Sequence, residues 1–459
     1  MTFTRDLSTR RVLAATSISY TVVLLDASIV NVALGEIGRT LGSHVSGLQW
    51  VVNAYTLTFA SLLMTGGTLG DRLGARNIYF AGLAIFVLAS VLCGFAPDLA
   101  TLTLARTLQG VGSAMLVPCS LALINGAYPN AADRAAAVSV WMGCGGVAMA
   151  SGPLIGGLLI HAFGWRSIFF VNVPVGIVGL GLTLCVDRAA SSATARHFDV
   201  KGQLAAIVAL GTLIGVLIEG PVLGWQSTLA RAGIVTSVAA WVAFFVIETR
   251  VRHPMLPLQF FRNALFSAST FVSMASAFVF YGMLFTFSLY YQQVRGDSAL
   301  ETGLAFLPMT GMVAAGGLMS SRIVKRMGGR RSMCIAFGLY AAGALGMTLS
   351  NATSPYWLAA VPMVLIGLAS GFISPAATSP ALGTVEKSRA GIASAVLNSA
   401  RQSGSALGVA IFGSFIATGH SFAPAMTLVL GVVVATSLVA AFVWWVTSAP
   451  VLLGRGQVS

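Results

Sequence analysis

The chain has 459 residues, of which 56% are hydrophobic and 8% charged, with a mean hydropathy of +0.87. A soluble domain carries about a quarter charged residues, so this composition excludes an ordinary soluble protein and implies an integral membrane one. The net charge of +13 would suit a nucleic-acid binder, but the positions of the basic residues give it another meaning.

Runs with the roughly 20 apolar residues of a helical span lie near 12–34, 48–70, 78–96, 99–126, 135–162, 168–186 and 202–222. They continue near 232–249, 264–291, 302–323, 332–350, 356–380, 390–418 and 422–446, fourteen in all. The first follows Arg10 and Arg11, exceeds a signal-peptide core and lacks a small-residue cleavage site, so it is expected to stay as span 1. Connections are short, the longest near 187–201 and 250–263, and leave no room for a soluble catalytic domain. With both termini cytoplasmic, twenty of the 26 basic residues fall inside. They are Arg5, Arg10, Arg11, Arg72, Arg76, Arg134, Arg188, Arg196, Lys201, Arg250, Arg252, Arg262, Arg322, Lys325, Arg326, Arg330, Arg331, Lys387, Arg389 and Arg455. Four fall outside: Arg39, Arg166, Arg231 and Arg295. That alternation is the positive-inside pattern, so the net charge reflects topology and anionic lipid, with no nucleic acid involved.

In span 1, SYTVVLLDASIVNVAL (19–34) carries Asp26 near its middle. A carboxylate there costs roughly 2.5–3.5 kcal/mol on insertion scales, and such residues usually pair or serve function. After span 2, GTLGDRLGARN (67–77) is a tight basic turn in which Gly67, Gly70 and Gly74 permit close approach and Asp71, Arg72 and Arg76 carry charge. Span 4 contributes Arg106, opposite in sign to Asp26 and in the same half. An aspartate facing a movable arginine can exchange ion pair for protonated acid, a proton-coupling device; a permanent structural pair is the plainer alternative. Span 5 holds SGPLIGG (151–157), where Gly152, Gly156 and Gly157 allow a close helix seam and Pro153 a bend. Glu219 near the outer end of span 7 either faces a cavity or sits at the interface beside Trp225. Span 9 and its approach (278–293) are crowded with Phe280, Tyr281, Met283, Phe285, Phe287, Tyr290 and Tyr291, either an adaptable greasy site or lipid-facing bulk. Arg401 in span 13 either lines a cavity or grips a neighbouring helix. Further cavity candidates are Asn31, Asn53, Tyr55, Gln109, Trp141, Asn398 and Gln402.

Three segments recur. GDRLGAR (70–76) pairs with VKRMGGR (324–330) at an offset of 254, GVGSAMLVP (110–118) with GLASGFISP (367–375) at 257, and DRAAAVS (133–139) with SRAGIAS (388–394) at 255. The near-constant offset implies a duplicated six-helix bundle: one half over 1–187, an inserted helix pair over 188–263, and a second half over 264–459. No lysine follows glycine as a phosphate-binding loop needs, so ATP is not expected to drive the protein. The five histidines lie at span ends or in loops, and the five cysteines lack metal-like spacing. No enzyme constellation or cofactor is expected.

These motifs together resemble the major facilitator superfamily, and within it the fourteen-helix drug:proton antiporter branch (the EmrB/QacA type). LDASIVNVAL (25–34), GTLGDRLGAR, LARTLQGVGSA (104–114), SGPLIGG and GWRSIFFVNVPVG (164–176) carry the likeness nearly end to end. Three positions depart from it: Ala75 where a basic residue is usual, Gly35 where span 1 often ends in proline, and Ala148 for a frequent glycine. The resemblance implies Asp26 and Arg106 as the proton-coupling pair, Asp71 and Arg72 in a conformational latch, and Gly152 and Pro153 shaping span 5 for export. It implies a monomeric multi-pass exporter of lipophilic or cationic compounds in a cytoplasmic (inner) membrane, energised by the proton gradient. A dedicated exporter of one compound and a symporter are the alternatives on the same fold.

Overall fold

The computed structural model of the chain describes residues 2–186, 199–251, 254–351, 353–386, 389–418 and 421–448. The boundary drawn at 187/188, and with it Arg188, Arg196, Arg252, Lys387 and Arg455, lies outside the described residues. Within them the regular structure is helical and there is no strand. The first half comprises α1 (Thr2–Leu41), α2 (Val45–Leu73), α3 (Ala75–Gly94), α4 (Leu99–Ala127), α5 (Ala131–Phe163), α6 (Ser167–Phe170) and α7 (Asn172–Leu184). Between the halves lie α8 (Val200–Leu223) and α9 (Thr228–Arg250). The second half comprises α10 (Ala264–Leu289), α11 (Ala299–Ala305), α12 (Leu307–Met327), α13 (Gly329–Met347), α14 (Trp357–Gly383), α15 (Ala390–Thr418) and α16 (Phe422–Thr447).

Among the described residues, eleven of the helical rods are long and apolar enough to cross a membrane. Two rods are broken, and proline chemistry says where. Pro174 and Pro308 each lack an N–H and set a ring against the carbonyl four residues back. The first break falls at Val171, between α6 and α7, and the second at Phe306, between α11 and α12. Apolar patterning cannot register either break. It also misses that α1 begins ten residues ahead of the expected span and that α10 runs into a π-turn at Tyr290–Val294. Helix starts are capped as elementary hydrogen bonding demands. The side chains of Asp98, Asn130, Ser227 and Asn263 accept from the first-turn N–H groups of α4, α5, α9 and α10.

The packing pairs the helices in two parallel sets. α1 packs on α5 as α10 packs on α15, α2 on α4 as α12 on α14, and α3 on α4 as α13 on α14. α8 lies against both α2 and α15, one helix from each half, and α9 packs on α8. The repeated turns share their main features. Gly74 and Gly328, 254 residues apart, both hold positive φ (+90° and +79°), a region open to glycine without steric cost. Two residues on, Arg76 donates to the carbonyls of Thr183 (3.1 Å) and Leu184 (3.0 Å) at the end of α7. Arg330 likewise donates to the carbonyl of Trp445 (2.9 Å) at the end of α16 and lies 3.8 Å over the Trp445 ring. Each arginine closes the C-terminus of the last helix in its own half, where unpaired carbonyls and the helix dipole favour a cation.

The two halves part at one end and close at the other. The parted end encloses a cavity of about 1830 Å³. The closed end is held by side-chain amides and glycines. Gln292 donates to the carbonyl of Val32 (3.0 Å) and accepts from the N–H of Gly35 (2.9 Å), so one carboxamide grips the α1 backbone twice. A proline at 35 would remove that N–H, so the glycine noted in the sequence gives α1 a donor for the second half to hold. Gln49 of α2 donates to the carbonyls of Val409 (2.9 Å) and Ala410 (2.7 Å) of α15. A Cβ at Gly157 would sit 2.9 Å from Ala299 O, and Gly303 in turn leaves no room for one against the Pro153 carbonyl, so α5 and α11 touch backbone to backbone.

Two outcomes are expected. Gly328→Ala forces a side chain into the left-handed region and should lower stability by about 1–2 kcal/mol, read as a lower unfolding midpoint of the detergent-purified chain. Gln292→Ala removes the two hydrogen bonds that cross to α1, worth about 1 kcal/mol each. It should speed labelling of a cysteine placed at Ser414, buried at this closed end, by about tenfold with a membrane-impermeant thiol reagent; an unchanged rate would assign the seam's closure to the glycine contacts alone.

Candidate functional site

Asp26, Arg106 and their partners form one enclosed polar network. Asp26 is wholly buried and Arg106 is 1% exposed. An Arg106 Nη1–H donates to Asp26 Oδ2, while Asn172 Nδ2 (2.9 Å) and Gln109 Nε2 (3.3 Å) both donate to Oδ1. Each of these bonds has the carboxylate as acceptor, the pattern of the ionised form. Gln109 also accepts from Arg106 Nη1 (2.8 Å) and donates to Ser90 Oγ (2.8 Å), which passes its own proton to the Phe86 carbonyl (2.8 Å). Arg106 Nε donates to the Val51 carbonyl (3.1 Å), and the guanidinium lies 4.4 Å over the Tyr55 ring. Tyr55 in turn donates to the Val23 carbonyl (3.3 Å) and accepts from Ser113 (3.0 Å). Within the network Asn172 Oδ1 alone lacks a partner. Five helices (α1, α2, α3, α4 and α7) thus meet around one ion pair.

Such a pair does not gain stability cheaply. Desolvating both ions can exceed their attraction, yet removing one partner costs about 3–5 kcal/mol because the other is left uncompensated. The donors from Asn172 and Gln109 make Asp26 tolerable while ionised. A proton on Asp26 would cancel the attraction and give Oδ2 a hydrogen that Arg106, a donor only, cannot accept. The site therefore has two incompatible bonding patterns, which is what a proton-operated switch requires. A void of about 20 Å³ touches Arg106 and Tyr55, together with Tyr281, Gln402 and Ser405 from the second half. It has room for about one water.

The large cavity lies beyond that void, on the face bearing the basic turns. Its rim carries Asp71, Arg262 and Arg389, and Asp199 and Glu248 from α8's cap and α9. Further in, Tyr20, Trp141, Ser374, Asn398 and Arg401 form its wall. Tyr20 and Trp141 stack with ring centroids 3.8 Å apart. Arg401 donates to Ser374 Oγ (3.0 Å).

Of the cavity candidates named from sequence, Trp141, Asn398 and Arg401 line the cavity, and Tyr55, Tyr281 and Gln402 line the small void. The rest lie elsewhere. Gln109 belongs to the Asp26 network, and Phe280 and Phe287 are buried in the α10 core. Asn31 turns its amide back to the Ala27 carbonyl (3.1 Å), and its own carbonyl accepts from Ser288. Glu219 accepts from Trp50 Nε1 (2.7 Å), tying α8 to α2. Asn53 is fully buried with neither amide atom partnered. Gly67 and Gly70 of the basic turn set α2 beside Pro118 and Cys119 of α4, while Arg72 is exposed. Gly152 and Gly156 seat α5 against Ser28 and Ile29 of α1, so the SGPLIGG stretch serves a seam within the half and, through Gly157, one between halves.

Sequence reasoning missed Asn172 and Ser90, which have no charge to draw attention, and Glu248, which is 3% exposed inside α9. The signal for Glu248 was available, since the acid falls inside the apolar run 232–249. Asn172 sits beside the α6–α7 break, where a buried amide in an apolar stretch asks for a partner.

Comparison with known proteins agrees with this geometry. Residues 16–409 match the Major Facilitator Superfamily. The chain is 37% identical over 405 residues to the multidrug resistance protein Stp of Mycobacterium tuberculosis, covering 88% of this chain and 75% of that protein. It is 36% identical to the methylenomycin A resistance protein of Bacillus subtilis, covering 94% and 93%, and 34% identical to the tetracenomycin C resistance and export protein of Streptomyces glaucescens, covering 88% and 76%. Among solved structures, a mutant of the nucleoside transporter NupG superposes with a TM-score of 0.67 at 12% identity, covering 96% of this chain and all of the other, a likeness of fold alone. The family match over residues 16–409 and the identity to these relatives over most of their length show that the chain belongs to the Major Facilitator Superfamily.

Proposed function

We propose that the chain is a drug efflux transporter that exports small organic compounds from the cytoplasm in exchange for protons. The observation that carries this reading is the sealed Asp26–Arg106 contact beside a cavity open on the basic face. The multidrug and antibiotic resistance relatives supply the direction of transport. By the positive-inside rule the basic face is cytoplasmic, so the conformation described receives cargo from inside. On this reading all fourteen rods cross an inner membrane, both termini are cytoplasmic, α8 and α9 are the inserted pair, and a monomer is the working unit. No cofactor or ATP enters the cycle; the proton gradient supplies the energy.

The cycle follows from the chemistry of the pair. With the cavity inward, Asp26 is ionised and holds Arg106. Cargo enters and the halves rock until the seams at Gln292, Gln49 and Gly303 part. A proton arriving from outside neutralises Asp26, releases Arg106, and lets the emptied protein return. A second reading, a dedicated exporter of one compound, draws on relatives whose names state a single antibiotic; it shares the proton machinery and differs in the wall of the cavity.

In liposomes with an imposed pH gradient, cargo should trigger proton flux in the wild type, and Asp26→Asn should abolish it while leaving cargo binding within about threefold. Arg106→Lys keeps the charge but loses the planar fork that reaches Asp26, Gln109 and Val51, and should cut flux by more than about tenfold. Normal flux in Asp26→Asn would overturn the assignment of the proton site.

A further inference from the structure

Arg401 is the one charged side chain on the deep wall of the cavity, and among the described residues no carboxylate lies within ion-pair distance of it. It sits eleven residues into α15, about 16 Å along the helix from its basic end. Arg106, the other arginine at comparable depth, spends three N–H donors on Asp26, Gln109 and Val51. Arg401 instead spends one of its five N–H donors on Ser374 Oγ (3.0 Å) and makes no other bond within the described residues. The carboxylates of the cavity, Asp71, Asp199 and Glu248, belong to its rim, as do Arg262 and Arg389. Proton exchange does not account for an arginine, which stays protonated at any physiological pH.

The same wall bears the Tyr20–Trp141 stack, and the Trp141 indole N–H is buried without an acceptor. The wall therefore offers a fixed cation with spare, forked donors near a half-buried tyrosine that is backed by Trp141. A cationic compound would meet repulsion there with no carboxylate to offset it. We infer that the cargo wall selects planar aromatic compounds bearing an acidic oxygen, a carboxylate or an ionised phenol or enol, with Arg401 as the specificity-determining residue. The ring would lie along Tyr20 while the anion takes the guanidinium fork. This deepens the efflux reading above and rests on it for the direction of transport, but binding alone tests it.

The test uses the purified full-length chain and three probes that share one ring system: naphthoate, naphthylmethanol and naphthylmethylammonium. Binding is followed by quenching of tryptophan fluorescence. Naphthoate should bind about ten- to a hundredfold more tightly than the other two, the range of a charge-assisted hydrogen-bonded pair. Arg401→Gln should bring naphthoate binding to within about twofold of naphthylmethanol, with an unchanged unfolding midpoint showing that the variant is folded. Arg401→Lys should restore part of it, the point charge returning without the fork. The inference is overturned if the wild type binds the ammonium probe as tightly as the carboxylate, binds none of the three, or keeps its preference in Arg401→Gln. Efflux can fail separately: a naphthoate preference intact in a protein that moves no protons would remove the antiport reading and leave the cargo wall standing.

Discussion

A charge at the middle of a membrane protein has to be answered by its neighbours, and the rest of this structure follows from how Asp26 is answered. Arg106 neutralises it, Asn172 and Gln109 fill its second oxygen, and Val51 and Tyr55 hold the arginine from α2. The partners come from α2, α4 and α7, so satisfying one carboxylate on α1 ties four helices of the first half together. The short glycine contacts between α2, α3 and α4, such as Gly110 on the Tyr55 carbonyl and Gly112 on the Gly82 carbonyl, bring the backbones near enough for those side chains to meet. Close packing by small residues and polar pairing act together because lipid offers no hydrophobic drive of its own between helices.

The two ends of the molecule are built on different chemistry. At the closed end the halves touch through carboxamides on backbone carbonyls and through glycines on backbone, contacts without formal charge. At the open end each half is tied within itself by an arginine, Arg76 on α7 and Arg330 on α16. Neutral seams of about 1 kcal/mol per hydrogen bond can part and reform without stranding an ion, whereas the arginine ties keep each half rigid while it moves. The duplication makes this division natural: one turn, copied 254 residues apart, stiffens both halves alike.

The sequence made legible whatever announces itself by charge, by period or by repetition. Asp26 and Arg106 stood out as ions in apolar runs, and Gly74 with Arg76 recurred as Gly328 with Arg330. What it could not convey is which uncharged side chain reaches across to which backbone. Gln49 and Gln292 each grip carbonyls on helices at least 257 residues distant, and no local pattern encodes such a partner. Asn172 completes the carboxylate's shell from beyond a helix break that apolar patterning passes over. The cavity wall was only partly legible for a related reason. Which face of a helix meets a void depends on how far the two halves have parted, a property of the assembled bundle.

That separation bears on coupling. The proposed cargo wall and the proposed proton site share no side chain: Asp26 is sealed within the first half, and Arg401 belongs to the second. They share α1, which carries Tyr20 on the cavity wall and Asp26 six residues further on, about 9 Å along the helix. The same helix is seated on α5 at Gly145, Gly152 and Gly156 and is gripped at its far end by Gln292. In the antiport proposed above, releasing Asp26 from Arg106 loosens α1 from α4 while its glycine seat on α5 remains. The helix is then free to shift its cavity face and its outer grip together. Proton and cargo need not compete for one group if both act on the position of one helix, and the glycine seat of the SGPLIGG stretch is what lets that helix move without losing its contact.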